Sequence, residues 1–154
     1  MNDTIWSVYL SGEIHTDWRQ QIIRACEHAK LPIEFVGPNT DHGDSDDCGS
    51  VILGEEDTPF WRDHKSAKIN ALRTRTLIER SDIVVVRFGD KYRQWNAAFD
   101  AGYAAALDTP VITLRDDALT HPMKEVDAAA LATCTEPCQV AEILGYVIDG
   151  RLNR

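Results

Sequence analysis

The chain has 154 residues, 44% hydrophobic and 27% charged, which predicts one soluble globular domain over 1–154 with a normal core. Its net charge of −9 argues against a nucleic-acid polymer or an anionic membrane as partner, because both need a cationic face. A single nucleotide needs only a few local donors and is compatible with that charge.

Met1-Asn2-Asp3-Thr4 carries no basic residue, and the apolar run after it is too short for a signal peptide or a membrane span. A cytoplasmic location is expected. Cys26, Cys48, Cys134 and Cys138 have no CxxC spacing, so free thiols are expected in a reducing compartment.

Residues 5–10 are apolar and partly β-branched, and Ser11-Gly12-Glu13 breaks the run, which predicts a strand and a strand-to-helix turn. Thr16 or Asp17 can cap a helix over 18–29, where Ile22, Ile23, Cys26 and Ala29 fall at helical spacing. Leu31-Pro32 stops it, and Ile33–Val36 reads as a second strand ended by Gly37-Pro38. Residues 39–54 are polar and acidic without a period and predict a loop. Pro59 argues against a regular helix interior near 55–61. A helix is predicted over 65–79.

Ser81-Asp82-Ile83-Val84-Val85-Val86 is a β-branched run suited to a strand buried on both faces. Residues 91–96 form a loop, 97–107 an Ala-rich helix, and 109–114 a further strand. A connecting loop over 115–123, a short helix over 124–130, a weak strand over 131–135 and a terminal helix over 136–149 complete the chain. Alternating strands and helices predict a doubly wound α/β fold of the flavodoxin/Rossmann-like kind, a five-stranded parallel sheet in an α/β/α sandwich. Its ligand crevice lies beyond the carboxyl ends of the strands. The turn Ser11-Gly12-Glu13-Ile14-His15 and the turn at Gly89-Asp90 both fall on that edge.

Asp100, about one turn into the Ala-rich helix, is the acid on which the polar clusters can converge. Its plain reading is a partner for the helix dipole. Ala97, Ala98, Ala101 and Gly102 leave room around it, and Trp95 and Tyr103 could wall a flat ring. His15 suits proton transfer at neutral pH; it could equally be a solvated turn residue. Asn70, Arg73 and Thr74 share one helical face, and Arg73 is either a phosphate or carboxylate clamp or part of a solvated cationic face. Trp95 and Asn96 read without further context as a hydrophobic staple and an N-cap. Arg19 could hold an anion or make an outward salt bridge.

Asp44-Ser45-Asp46-Asp47-Cys48-Gly49 with Glu55 approaches the EF-hand spacing, but Cys48 is a poor calcium ligand and no helix precedes the stretch. It reads instead as a solvated acidic loop or a lid that could carry His42 and Asp63 into the crevice. The first strand is not followed by GxGxxG, and GxxxxGK[ST] is absent, which disfavours a nicotinamide oxidoreductase and a P-loop NTPase.

Val8-Tyr9-Leu10-Ser11-Gly12, the 81–86 run, Ala98-Phe99-Asp100-Ala101-Gly102-Tyr103-Ala104 and Pro110-Val111-Ile112 together resemble the nucleoside 2-deoxyribosyltransferase superfamily. Gly12-Glu13-Ile14-His15, Trp18-Arg19, Phe35-Val36-Gly37-Pro38, Ile69-Asn70, Arg73-Thr74, Lys91-Tyr92, Gln94-Trp95-Asn96 and His121-Pro122 are similar, more narrowly, to its YtoQ branch. The resemblance covers nearly the whole chain. It implies a carboxylate nucleophile that attacks the anomeric carbon of a nucleoside, then passes the sugar to another base or to water. Asp100 falls at the position of the family's nucleophilic Glu, and Tyr9 at that of the tyrosine whose hydroxyl orients it. Two departures stand out: the nucleophile is one methylene shorter, and Gln94 and Arg73-Thr74 occupy positions where the transferases carry acids.

The resulting expectation is an N-glycosyl enzyme, acting by hydrolysis or deoxyribosyl transfer, or a non-catalytic nucleotide-binding module on the same fold. The catalytic set is Asp100, Tyr9, His15 and Glu13. Gly12, Asn70, Arg73, Gly89, Asp90, Trp95 and Asn96 bind a nucleoside or nucleotide. No metal or organic cofactor is required. The resemblance also implies a homodimer or larger homo-oligomer, to which Asp149 or Asn153 could contribute.

Overall fold

A computed structural model describes residues 4–91, 93–152 and 154; Tyr92 and Asn153 lie outside the described residues. The strands are β1 (Trp6–Gly12), β2 (Ile33–Val36), β3 (Ile83–Phe88), β4 (Val111–Arg115) and β5 (Ala132–Cys134). They form one parallel sheet in the order β2-β1-β3-β4-β5. This is the flavodoxin-type order, and its switch point lies between β1 and β3.

Helices cover both faces. Alternation along the strands sends Val8, Leu10, Ile83, Val85, Ile112 and Leu114 to one side. There they pack with Trp18, Ile22 and Cys26 of α1 (Trp18–His28) and Val140 and Leu144 of α6 (Pro137–Asp149). Tyr9, Val84, Val86, Phe88 and Val111 go to the other side. They meet Ile78 of α3 (Pro59–Glu79) and Ala97, Ala101 and Ala104 of α4 (Trp95–Ala106). The small residues of α4 let that helix lie close on β3 and β1. The short α5 (Lys124–Ala129) follows a single 3-10 turn at Asp117–Leu119. No described helix is long and apolar enough to cross a membrane.

Four local expectations are corrected. The acidic stretch over 39–54 is not a loop: α2 spans His42–Leu53. Its ends are marked by Asp41, whose side chain accepts from the Asp44 N–H at 2.8 Å, and by Gly54 at φ 96. Its stability comes from α3. Asn70 Nδ2 donates to the Ser45 carbonyl at 2.9 Å, Arg62 pairs with Asp47, and the Gly49 N–H donates to Ser66 Oγ at 3.0 Å. A Cβ on Gly49 would stand 2.6 Å from the Ser66 nitrogen, so only glycine permits this crossing. Residues 44–49 of the EF-hand-like spacing therefore ride on a helix, and Glu55 lies just past its end.

α3 begins at Pro59, six residues before the predicted start at Lys65. Pro59 occupies the first turn, where no N–H is needed, behind the Thr58 cap. α4 begins at Trp95, with Gln94 in the N-cap position, so Asn96 is its second residue and not its cap. Finally, β1 does not break at Ser11: Ser11 and Gly12 pair with Val86 and Arg87 of β3.

Candidate active site

The carboxyl end of β1 with the turn after it, Pro38 and Asn39 beyond β2, the first turns of α4 and the α2–α3 pair enclose an open crevice of about 830 Å³. Its floor is set by backbone packing. At Gly12 the chain turns out of β1 with φ +118, and a Cβ there would stand 2.0 Å from the Arg87 carbonyl oxygen. Any side chain at Gly12 would break the β1–β3 contact.

Asp100 is the sixth residue of α4 and lines the crevice. It lies beyond the first helical turn, where the dipole acts most strongly. Its Oδ2 accepts a hydrogen bond from Ser11 Oγ at 2.6 Å. Burial raises its pKa above the usual aspartate value, and the Ser11 bond only partly opposes that rise. Asp100 thus lies in a partly dry site where burial disfavours the carboxylate and the Ser11 hydroxyl supports it.

The expected Tyr9–Asp100 hydrogen bond is not made. Tyr9 is 0% exposed, does not line the crevice, and its hydroxyl has no hydrogen-bond partner among the described residues. Burial, then the charge of Asp100, pushes the phenol well above its ordinary pKa. Tyr9 and Ser11 share a face of β1. The shorter acid meets the hydroxyl nearer the sheet edge.

Glu13 also departs from its expected role. It lines the crevice, but its carboxylate accepts from the His15 N–H at 2.7 Å, the Thr16 N–H at 3.2 Å and the Thr16 hydroxyl. Burial pushes its pKa up, but these bonds and the Arg87 charge outweigh burial and hold it below the usual range. Glu13 is an ionised staple of its own turn, unsuited to donating a proton. Arg19 is turned to the backbone at the end of β1. Its guanidinium donates to the carbonyls of Leu10, Glu13 and Gly12 at 3.1, 2.7 and 3.1 Å, and burial brings its pKa down to about 10. His15 is exposed on the crevice lining.

Asn70, Arg73, Trp95 and Asn96 line the crevice. The Asn70 amide nitrogen is engaged with Ser45, which leaves its oxygen as an acceptor. Arg73 Nε donates to the Gly37 carbonyl at 3.2 Å, and among the described residues no carboxylate pairs with it. Trp95 is 70% exposed with Arg93 over its ring. Gly89 and Asp90 are not brought in. The Gly89 N–H donates to Gln94 Oε1 at 2.9 Å, and Asp90 is exposed outside the lining. That bond ties the β3–α4 loop together and places Gln94 on the lining instead.

Sequence reasoning named His42 and Asp63 only as lid residues; both line the crevice wall. It missed Ser11, whose one signal was lying two residues after Tyr9 on the same strand face. It also missed Arg75, Arg93 and Phe99, because neither the early start of α4 nor the α2–α3 wall was legible.

The fold and crevice define a doubly wound α/β protein with an open crevice at its switch point and a carboxylate in the floor. Residues 9–148 match the family described as Nucleoside 2-deoxyribosyltransferase YtoQ, and the chain belongs to that family. The uncharacterized protein YtoQ of Bacillus subtilis (strain 168) is 42% identical over 142 residues, covering 92% of this chain and 96% of that one. Two solved structures share the fold. A conserved protein from Enterococcus faecalis V583 matches at TM-score 0.65 and 13% identity, over 94% of this chain and 99% of that one. The 2-deoxyribosyltransferase of Bacillus psychrosaccharolyticus matches at 0.56 and 15%, over 88% and 90%.

Proposed function

We propose that this protein cleaves or transfers the base–sugar bond of a nucleoside or nucleotide, with Asp100 as nucleophile. The observation that carries the proposal is the Asp100 carboxylate, desolvated and hydrogen-bonded on one oxygen while it lines a crevice large enough for a nucleoside. The family supports it, as does the activity in the name of the Bacillus psychrosaccharolyticus structure.

In the first step an oxygen of Asp100 bonds to the anomeric carbon as the carbon–nitrogen bond breaks. The electron pair leaves on the base nitrogen, which takes a proton from His15 or from solvent. Water or a second base then attacks the same carbon as the Asp100 oxygen–carbon bond breaks; the electron pair returns to the carboxylate, the attacking group gives its proton to His15 or to solvent, and the sugar leaves free or joined to the second base. Two displacements retain the anomeric configuration. Trp95 offers a ring for the base, Asn70 and Asn96 hydrogen bonds, and Arg73 a charge for an anionic substrate group.

A panel of nucleosides and 5′-nucleotides, assayed by chromatography for free base, tests the reading. Base release that is lost in Asp100→Ala, with a glycosyl adduct on the wild-type chain by mass spectrometry, supports it. Release that persists in Asp100→Ala overturns the covalent mechanism. One observation favours the binding-only alternative: Glu13 and Arg19 are engaged by the scaffold, not by the crevice. That alternative predicts ligand-induced thermal stabilisation without base release.

We also infer a homodimer or larger assembly. Val51, Ile52 and Leu53 at the end of α2 and Phe60 and Trp61 at the start of α3 are all more than half exposed, and large apolar side chains left exposed together favour an interaction face. Light scattering on the purified chain measures it; a monomer at micromolar concentration overturns it.

A further inference from the structure

We propose that Ser11 is the positioning residue of the nucleophile: its hydroxyl holds Asp100 in the attacking geometry, the task expected of Tyr9. The assignment rests on Asp100 being the nucleophile.

The geometry separates the two hydroxyls cleanly. Ser11 Oγ donates to Asp100 Oδ2 at 2.6 Å, while the buried Tyr9 hydroxyl has no partner among the described residues. Both side chains leave β1 on the α4 face, two residues apart, which is roughly 6.6 Å along a strand. A glutamate at position 100 would extend its carboxyl by one methylene. Aspartate is shorter, and the hydroxyl it meets is Ser11.

Ser11 is well suited to the task. It is 0% exposed, and the β1–β3 ladder pairs it with Val86, so its backbone is fixed by the sheet. A hydroxyl has a single proton to give, and Asp100 Oδ2 takes it. That bond aligns the carboxylate plane and leaves Oδ1 as the attacking oxygen. It also favours the ionised form against the burial of the site. As Oδ1 forms its bond to the anomeric carbon, charge leaves the carboxylate and the Ser11 bond weakens; it strengthens again when water or a second base restores the anion. Atoms balance without a proton crossing from Ser11.

Ser11→Ala, Ser11→Thr and Tyr9→Phe test the assignment against wild type, with base release and the titration of the Asp100 side-chain carbon by 13C NMR as readouts. In Ser11→Ala, kcat should fall about 10- to 100-fold, as expected for a misplaced reacting group. KM should stay within about twofold, and both the acid limb of the rate profile and the NMR midpoint should move to higher pH. Ser11→Thr, which keeps the hydroxyl, should restore most of the rate. Tyr9→Phe should leave rate and midpoint nearly unchanged. Loss of rate in Tyr9→Phe with Ser11→Ala unaffected overturns the assignment. If the wild type releases no base from any substrate, the N-glycosyl reading fails, and the NMR midpoints alone decide which hydroxyl holds Asp100. An upward move in Ser11→Ala supports Ser11; one confined to Tyr9→Phe rejects it.

Discussion

The floor and the wall of the crevice are built on different principles. The floor is an extension of the sheet. Ser11 and Gly12 are held by the β1–β3 ladder, Arg19 closes the carbonyls of Leu10, Gly12 and Glu13, and Asp100 is bonded across to Ser11. The wall is a helix pair joined mainly by contacts of its own: Asn70 to Ser45, Arg62 to Asp47, Gly49 against Ser66. Its outer side leaves Val51 78% and Phe60 67% exposed. A reacting carboxylate needs placement to a fraction of an ångström, and a sheet edge supplies it. A wall that selects a ligand tolerates looser support.

The largest expected effect falls on the floor. Asp100→Ala should lower base release by at least about 10³-fold while circular dichroism stays native. A wall substitution with an equal effect on kcat would break the division. Attack requires the ionised acid, and burial raises the Asp100 pKa. The rate should therefore fall with acid at a pH above the ordinary aspartate value of about 3.9.

Arg73→Ala tests the wall by affinity. Losing a charged hydrogen bond costs roughly 1.5–3 kcal/mol, so KM for an anionic substrate should rise about 10- to 100-fold with kcat preserved. A fall in kcat with KM unchanged would place Arg73 in the chemistry instead.

Gly49→Ala separates support from chemistry. The added Cβ would stand 2.6 Å from the Ser66 nitrogen, and overpacking costs about 1–3 kcal/mol. Calorimetry should show Tm lowered by about 2–4 °C per kcal/mol, with KM affected more than kcat.

The smallest effect is a gain. A raised carboxyl pKa means that the fold favours the protonated acid. Its stabilising contribution is complete below the unfolded value and is lost as pH rises through the folded one. Asp100→Asn should then raise Tm at pH 7, and the difference should vanish below about pH 4. A gain that persists unchanged in acid would mean that ionisation of Asp100 carries no cost.

The legible parts of the molecule were those governed by period and composition. The β-branched run at Ile83–Phe88, the Ala-rich face of α4 and the switch-point edge follow from alternation and small side chains. α2 escaped because its glycines and acids make a weak helix alone. Only the caps at Asp41 and Gly54 marked it, and its stability comes from α3. The α3 start escaped because Pro59 forbids a helix interior yet suits its first turn. Glu13 and Arg19 looked like chemistry and turned out to be scaffold, because the partners of a polar side chain lie in space and not in sequence.

By itself the sequence determined the five parallel strands, every helix but α2, the sheet edge on which the crevice opens, and Asp100 as an acid that lines it. Those follow from patterns a few residues long. Which hydroxyl holds that acid was decided only by tertiary structure. Tyr9 and Ser11 lie on the same strand face, and the choice between them depends on how deeply α4 seats against β1. One methylene and one pleat of the strand are distances that no local pattern records.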